Sequence, residues 1–481
     1  MNISTNLLNR ISFIYLSISL VIFIAGWYNP IFATISLLAL FFILKNIFSD
    51  KTDDKIIISK DHLIIISIIS ITWVILSGIG GFFWQEYNDW QVRNAIMHDL
   101  INFSYPVMYA NNTSFVYYFG FILPPALIGK LALFLHCNAY LAFNISNIFS
   151  IFYYSFGIFL ISLYFIKNTN AEGQKTIAAI AVLILFAGLN IFLFKRPYNF
   201  DIDYDWHPPY MWICGMRSMM NVPHVAVPIW LVAMLFWHNK QDITYYGIYI
   251  LFILFFCPQI LLLFGLYFIP CTIHEVIENR SNIKMLFRKI FDIKNLLSFL
   301  VLIPPIVLFY KSNYISNSDF LFFNQINENF YYALLWNVII YAILIFYNYY
   351  KDIFFLLTVF CLTILPMPAI STRYDFAAKA IIPLYLIFSV YIAEFLLSNK
   401  NKVIKYILTI VLILGSLTPI QIIHKNLQLG NMYPTLIVKD DLKTFDGKFD
   451  ENILKWQGFW RNINYACFNP KKYFFWKYIA K

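Results

Sequence analysis

The sequence predicts an all-α polytopic membrane protein, and three observations carry that reading. Sixty per cent of the 481 residues are hydrophobic and 12% are charged, about half the charge of an ordinary soluble domain. The apolar residues fall in continuous runs of roughly 17–25, the length that crosses a bilayer as helix. They do not alternate in short segments, as barrel strands would. In hydrocarbon the backbone must bond to itself, so these runs are read as helices.

Run length places spans near residues 11–27, 30–47, 62–83, 139–166, 176–194, 222–237, 243–257, 258–273, 296–310, 332–348, 353–367, 380–397 and 403–421. The expectation is about thirteen, within a range of eleven to thirteen. The first run reads as a retained span and not as a cleaved leader. The stretch 243–273 admits one long helix or two crossings. Lys and Arg favour the cytoplasmic side. With the amino terminus inside, the inner loops collect Lys45, Lys55, Lys60, Lys167, Lys240 and the basic stretch 280–294. Two crossings over 243–273 keep that stretch inside. The expected transmembrane domain is then 1–421. Its outer segments are a long first loop (84–138), 195–221, 311–331 and 368–379, with short amphipathic outer helices, followed by an outer tail, 422–481.

Several function classes are disfavoured at this level. The six cysteines form no CxxC pair, which argues against a zinc site or disulfide framework. There is no phosphate-binding GxxxxGK[ST] loop, so an ATP-driven pump is not indicated. No nucleic-acid partner is expected. The ionisable groups gather at one face, whereas transporters place them in mid-span within paired halves; Glu394 is the one acid read inside a span.

The first outer loop begins WQEYNDWQVRNAIMHDL. Glu86 and Asp89 follow the third span, and Asp89 and Arg93 share a face if the segment is helical. A carboxylate there can act as a general base toward a hydroxyl or can hold a metal. Its aromatics, Tyr117 and Tyr118 among them, fit an interfacial belt or could stack on sugar faces. The second outer segment holds Asp201, Asp203, Asp205, His207, Arg217 and Asn221, then Pro223 and His224. The alternating aspartates resemble half of a calcium loop but lack its Gly and distal Glu. His224 suits a donor to phosphate or hydroxyl, or an interfacial cap. In the fourth segment Arg373, Asp375 and Lys379 cluster at the start of a span. Two cations at headgroup level suit a lipid-linked phosphate; Asp375 and Lys379 could equally pair on the helix.

These stretches (NDWQVRNAIMHDL, then YPVMY and FVYYFGFILPPALIGK, and RYDFAAKAIIPL) resemble the GT-C superfamily of integral-membrane glycosyltransferases. The acids stand as E-Y-N-D and not as the family's commoner adjacent pair or D-x-D, which leaves the base and any divalent metal open. The resemblance implies a sugar donor on polyprenyl phosphate and a glycan, lipid or protein acceptor, with inversion at the anomeric carbon. Asp89 would be the base with Glu86 as partner. Arg373, Lys379, Arg217 and His224 would face the donor phosphate, supported by Arg93, Asp205, His207 and Asp375. The expected setting is a bacterial inner membrane with membrane lipids around the chain and the site on the extracytoplasmic face. Two alternatives stand beside it: a surface-polysaccharide polymerase or ligase, and a transporter or flippase.

Overall fold

A computed structural model describes residues 2–50, 54–81, 85, 87–110, 112–193, 212–240, 242–278, 282–313, 328–367, 375–398, 401–432, 444, 446 and 466–481. The chain is a multi-pass helical membrane protein. Among the described residues nine helices are long and apolar enough to cross a bilayer, and four shorter apolar helices accompany them.

Strand β1 (Asn2–Ser4) leads into α1 (Thr5–Trp27), and α2 (Pro30–Ser49) returns. Between them Asn29 caps α2 by accepting from Phe32 N at 3.1 Å, with Pro30 in the first turn where its missing N–H costs nothing. Strand β2 (Lys55–Ile57) then pairs antiparallel with β1, so both ends of this hairpin lie at one level. α3 (Lys60–Leu76) starts under a Ser59 cap. It stops at Leu76, short of the expected 83. Gly78, Gly80 and Gly81 follow at positive φ, 84°, 86° and 61°, a conformation a side chain resists.

The expected outer loop 84–138 holds two helices. α4 (Tyr87–Asn102) precedes a hairpin of β3 (Met108–Tyr109) and β4 (Thr113–Phe115), and α5 (Leu123–Phe134) packs along α6 (Ala139–Asn168). Phe121, just before α5, meets Tyr153 and Tyr154 near the middle of α6, at ring separations of 4.8 and 5.0 Å. α5 therefore climbs from mid-depth to the end of α6. The contact rests on small residues: a Cβ on Gly129 would lie 2.1 Å from Ser146 Oγ and 2.9 Å from the Ala142 carbonyl. Such contacts let helices approach without a hydrophobic drive. Gly129→Ala is expected to cost about 1–3 kcal/mol, read as earlier thermal loss of monodisperse protein in detergent.

α7 (Lys175–Leu185) is followed by α8 (Gly215–Asn221) and α9 (Pro223–His238). α10 (Tyr246–Phe256) and α11 (Leu261–Glu278) separate at Cys257–Pro258. Tyr246, at the start of α10, stacks on Phe268, late in α11, at 4.4 Å. The stretch 243–273 is thus an antiparallel pair of helices. α12 (Ile283–Ile290) is short. α13 (Ile293–Leu297) continues through a π-helical turn into α14 (Ile303–Lys311), and α15 (Glu328–Leu334) does the same into α16 (Ile340–Tyr349). α17 (Ile353–Ile364), α18 (Asp375–Leu397) and α19 (Lys402–Met432) complete the bundle. Helix α19 runs well past the expected span end at 421.

Two sets of contacts define two faces. On the amino-terminal side Lys167 pairs with Asp54, Lys294 with Asp50 at 2.9 Å, and Tyr245 Oη donates to Asp50 at 2.6 Å. On the opposite side the chain's last residues fold back. Strand β5 (Ala466–Phe468) adds to β4 as the third strand of a sheet. Asn29 N donates to the Ile479 carbonyl at 2.7 Å, and Lys481 N to that of Trp27 at 3.0 Å. The expected outer tail is, over residues 466–481, part of the folded body. All six cysteines are free, and burial pushes the Cys467 thiol up to about 11.

Candidate functional site

Polar chemistry concentrates at the face opposite the amino terminus. Asp89 stands in the first turn of α4 with its side chain 48% exposed, and it pairs with Arg93 one turn on at 3.5 Å. The i, i+4 spacing brings them together, as the sequence implied. Arg93 itself is buried. Its guanidinium lies 5.2 Å from the Trp90 ring centre, and its Nε and Nη1 have no hydrogen-bond partner among the described residues. Trp90 Nε1 donates to the Met220 carbonyl at 3.0 Å. That bond fastens α4 to α8 and sets where the Asp89–Arg93 face points.

α8 ends at Val222, whose backbone leaves helical geometry before Pro223 restarts the chain as α9. Arg217 and Asn221 on α8 and His224 at the start of α9 flank this break, and all three are buried. His224 stacks on Tyr118 with ring centres 5.8 Å apart and planes within 7°. Neither of its ring nitrogens has a partner among the described residues. Arg93 and Lys379 both lie within electrostatic reach of it.

Lys379, one turn into α18, is 2% exposed. Its Nζ donates to Tyr118 Oη and sits 4.5 Å from the centre of that ring. Tyr118 thus joins α18 to α9, with Tyr117 packed against it at 3.8 Å. Tyr118→Phe removes one acceptor from a buried ammonium. It should cost about 1–3 kcal/mol, measurable as a lowered midpoint of thermal unfolding in detergent.

Asp89 and Arg93 on α4, and Lys379, Tyr118 and His224 in contact with one another, are therefore brought to one face; Arg217 is buried in α8, the helix whose Met220 carbonyl holds Trp90. Glu86, Asp205, His207 and Arg373 lie outside the described residues. Asp375 opens α18, and its side chain is outside them too. Asp99 serves the fold instead: buried at 1% exposure, it accepts from Tyr109 Oη at 2.8 Å and faces His98 Nδ1 at 3.0 Å. It ties the end of α4 to β3.

The sequence reading did not anticipate that Tyr118 is a hub, because a belt tyrosine and a hub tyrosine look alike in one dimension. It also passed over Asn147 and Ser150 on α6, which with Arg93, Asn94 and Tyr154 line a cavity of about 20 Å³. Buried polar residues inside an apolar run were the available signal. That cavity is the size of a single water, too small to be a substrate chamber. Among the described residues no three metal-ligating side chains converge.

A larger polar hollow opens on the amino-terminal side, bordered by His238, Lys240, Asp242 and Lys294. Its charges are largely matched: Lys294 with Asp50 at 2.9 Å and Lys289 with the buried Glu275 at 2.5 Å. On the other face Arg93 is a buried cation with two nitrogens lacking a partner among the described residues.

No family model matches the sequence, and neither the curated proteins nor the solved structures contain a significant match.

Proposed function

We propose that this chain is a membrane glycosyltransferase that moves a sugar from a polyprenyl-phosphate donor to a hydroxyl acceptor on the face opposite its amino terminus. One observation carries the reading: a half-exposed carboxylate, Asp89, is held 3.5 Å from a buried guanidinium with two nitrogens lacking partners among the described residues. A buried cation with open donors is expensive unless an anion or other acceptor completes it. Beside it, a carboxylate at a polar surface is suited to take a proton.

In this mechanism the acceptor hydroxyl attacks the anomeric carbon from the face opposite the carrier. The new C–O bond forms as the bond to the phosphate oxygen breaks, and the phosphate leaves with the electron pair. The hydroxyl proton passes to Asp89. Arg93, with Lys379, Arg217 and His224, offsets charge growing on the leaving phosphate. A carrier lipid reaches such a site from within the bilayer, and a nucleotide-binding domain is then not needed. The basic residues on the amino-terminal side favour a cytoplasmic amino terminus. On this reading the chemistry lies on the outer face of a bacterial inner membrane, with a glycan, lipid or protein as acceptor.

The test is the lipid that accompanies the protein. Full-length protein is purified in nanodiscs from a host that makes polyprenyl-phosphate sugars, and its lipids are read by mass spectrometry. The expected result is a lipid-linked sugar retained by the native chain and by Asp89→Asn, and lost from Arg93→Gln. Its absence from every preparation would overturn the reading and favour a polymerase or a flippase.

A further inference from the structure

We infer that α12 is a membrane-surface helix that inserts its apolar face into the leaflet on the amino-terminal side and selects anionic phospholipid there. The eight residues Ile283–Ile290 place Ile283, Leu286, Phe287 and Ile290 at i, i+3, i+4 and i+7, a single apolar stripe. The protein leaves much of this stripe bare: Ile283 is 61% and Phe287 56% exposed. Phe287 stacks on Phe291 at 5.9 Å with planes within 2°, which widens the apolar surface. Lys284 and Arg288 stand one turn apart beside the stripe and make no ion pair among the described residues.

The helix is fixed at its ends and open along its side. Asn282 accepts from Met285 N at 3.1 Å, and Asn295 Nδ2 donates to the Ile290 carbonyl at 3.1 Å. Lys289 pairs with Glu275, near the end of α11, at 2.5 Å. These contacts hold α12 between two spans, close to where Lys294 meets Asp50. A helix this short is marginal in water by itself, and the protein holds its ends while leaving its apolar side uncovered. A bare apolar stripe flanked by uncompensated cations is the pattern of helices that lie in a bilayer interface. The two cations make the partner an anionic lipid surface and not a neutral one, each near-surface charge being worth about fivefold in binding. The inference is independent of the catalytic reading.

Hydrogen exchange read by mass spectrometry on the full chain tests it, in nanodiscs of phosphatidylcholine alone and of phosphatidylcholine with phosphatidylglycerol. The expected result is exchange over residues 283–291 slowed by about fivefold or more in the anionic discs. Lys284→Gln with Arg288→Gln should erase that difference and leave exchange in α13 unchanged. Equal exchange in the two lipids, whether slow or fast, would overturn the inference, as would a difference that survives the double substitution.

Discussion

Asp89→Asn is expected to abolish sugar transfer by a protein that still folds and inserts. The carboxamide keeps the shape of the side chain but cannot accept the hydroxyl proton. A positioned general base contributes about 10²–10⁴-fold to rate, so kcat should fall by that factor with donor binding retained. Asp89 is 48% exposed but Arg93 is buried; the carboxamide oxygen can still accept from the guanidinium, which holds the structural cost to about 1–3 kcal/mol. The measurement is transfer from a polyprenyl-phosphate sugar in nanodiscs, with thermal stability followed in parallel. Transfer unchanged in Asp89→Asn would remove Asp89 from the mechanism. Loss of transfer together with a large fall in stability would show that the residue serves the fold.

Phe475→Ala should strongly weaken the folded state at the face opposite the amino terminus. Phe475 is fully buried and packs edge-on against Tyr28 at 5.8 Å and Phe309 at 5.2 Å. It locks the last residues to the ends of α1 and α14, where Trp476 Nε1 also donates to Ser312 Oγ at 2.9 Å. Truncating a buried phenylalanine costs about 3–5 kcal/mol. Docked terminal segments open locally before a bundle unfolds. The first consequence should therefore be release of residues 466–481, seen as faster hydrogen exchange in β5 and faster proteolysis of the tail. Later comes a lower thermal midpoint. Exchange in β5 equal to that of the native chain would show that the strand pairing alone holds the segment.

The two expectations differ in how far they could be read in advance. The Asp89–Arg93 pair follows from four-residue spacing on a helix. The docking of Phe475 follows from nothing local: the ending YFFWKYIAK reads as an interfacial tail. Its backbone bonds to the end of α1, between Asn29 and Ile479 and between Lys481 and Trp27, show that it closes on the protein.

The sequence by itself determined the solvent of this protein, its helical class and the order of its spans. The bilayer imposes a length and an apolar composition on every crossing, and both are written locally along the chain. The charge pattern of the sequence also favoured two crossings over 243–273, since they keep the basic stretch beyond on the amino-terminal side, and the antiparallel pair α10–α11 bears that out. Tertiary structure alone decided what lies within the long outer segment 84–138, because α5 is too short to read as a span and too apolar to read as a loop. It alone brought Tyr118, Lys379, His224 and Arg93 together from four separate segments. A buried polar cluster is satisfied by partners hundreds of residues away, and neither spacing nor composition records which partners those are.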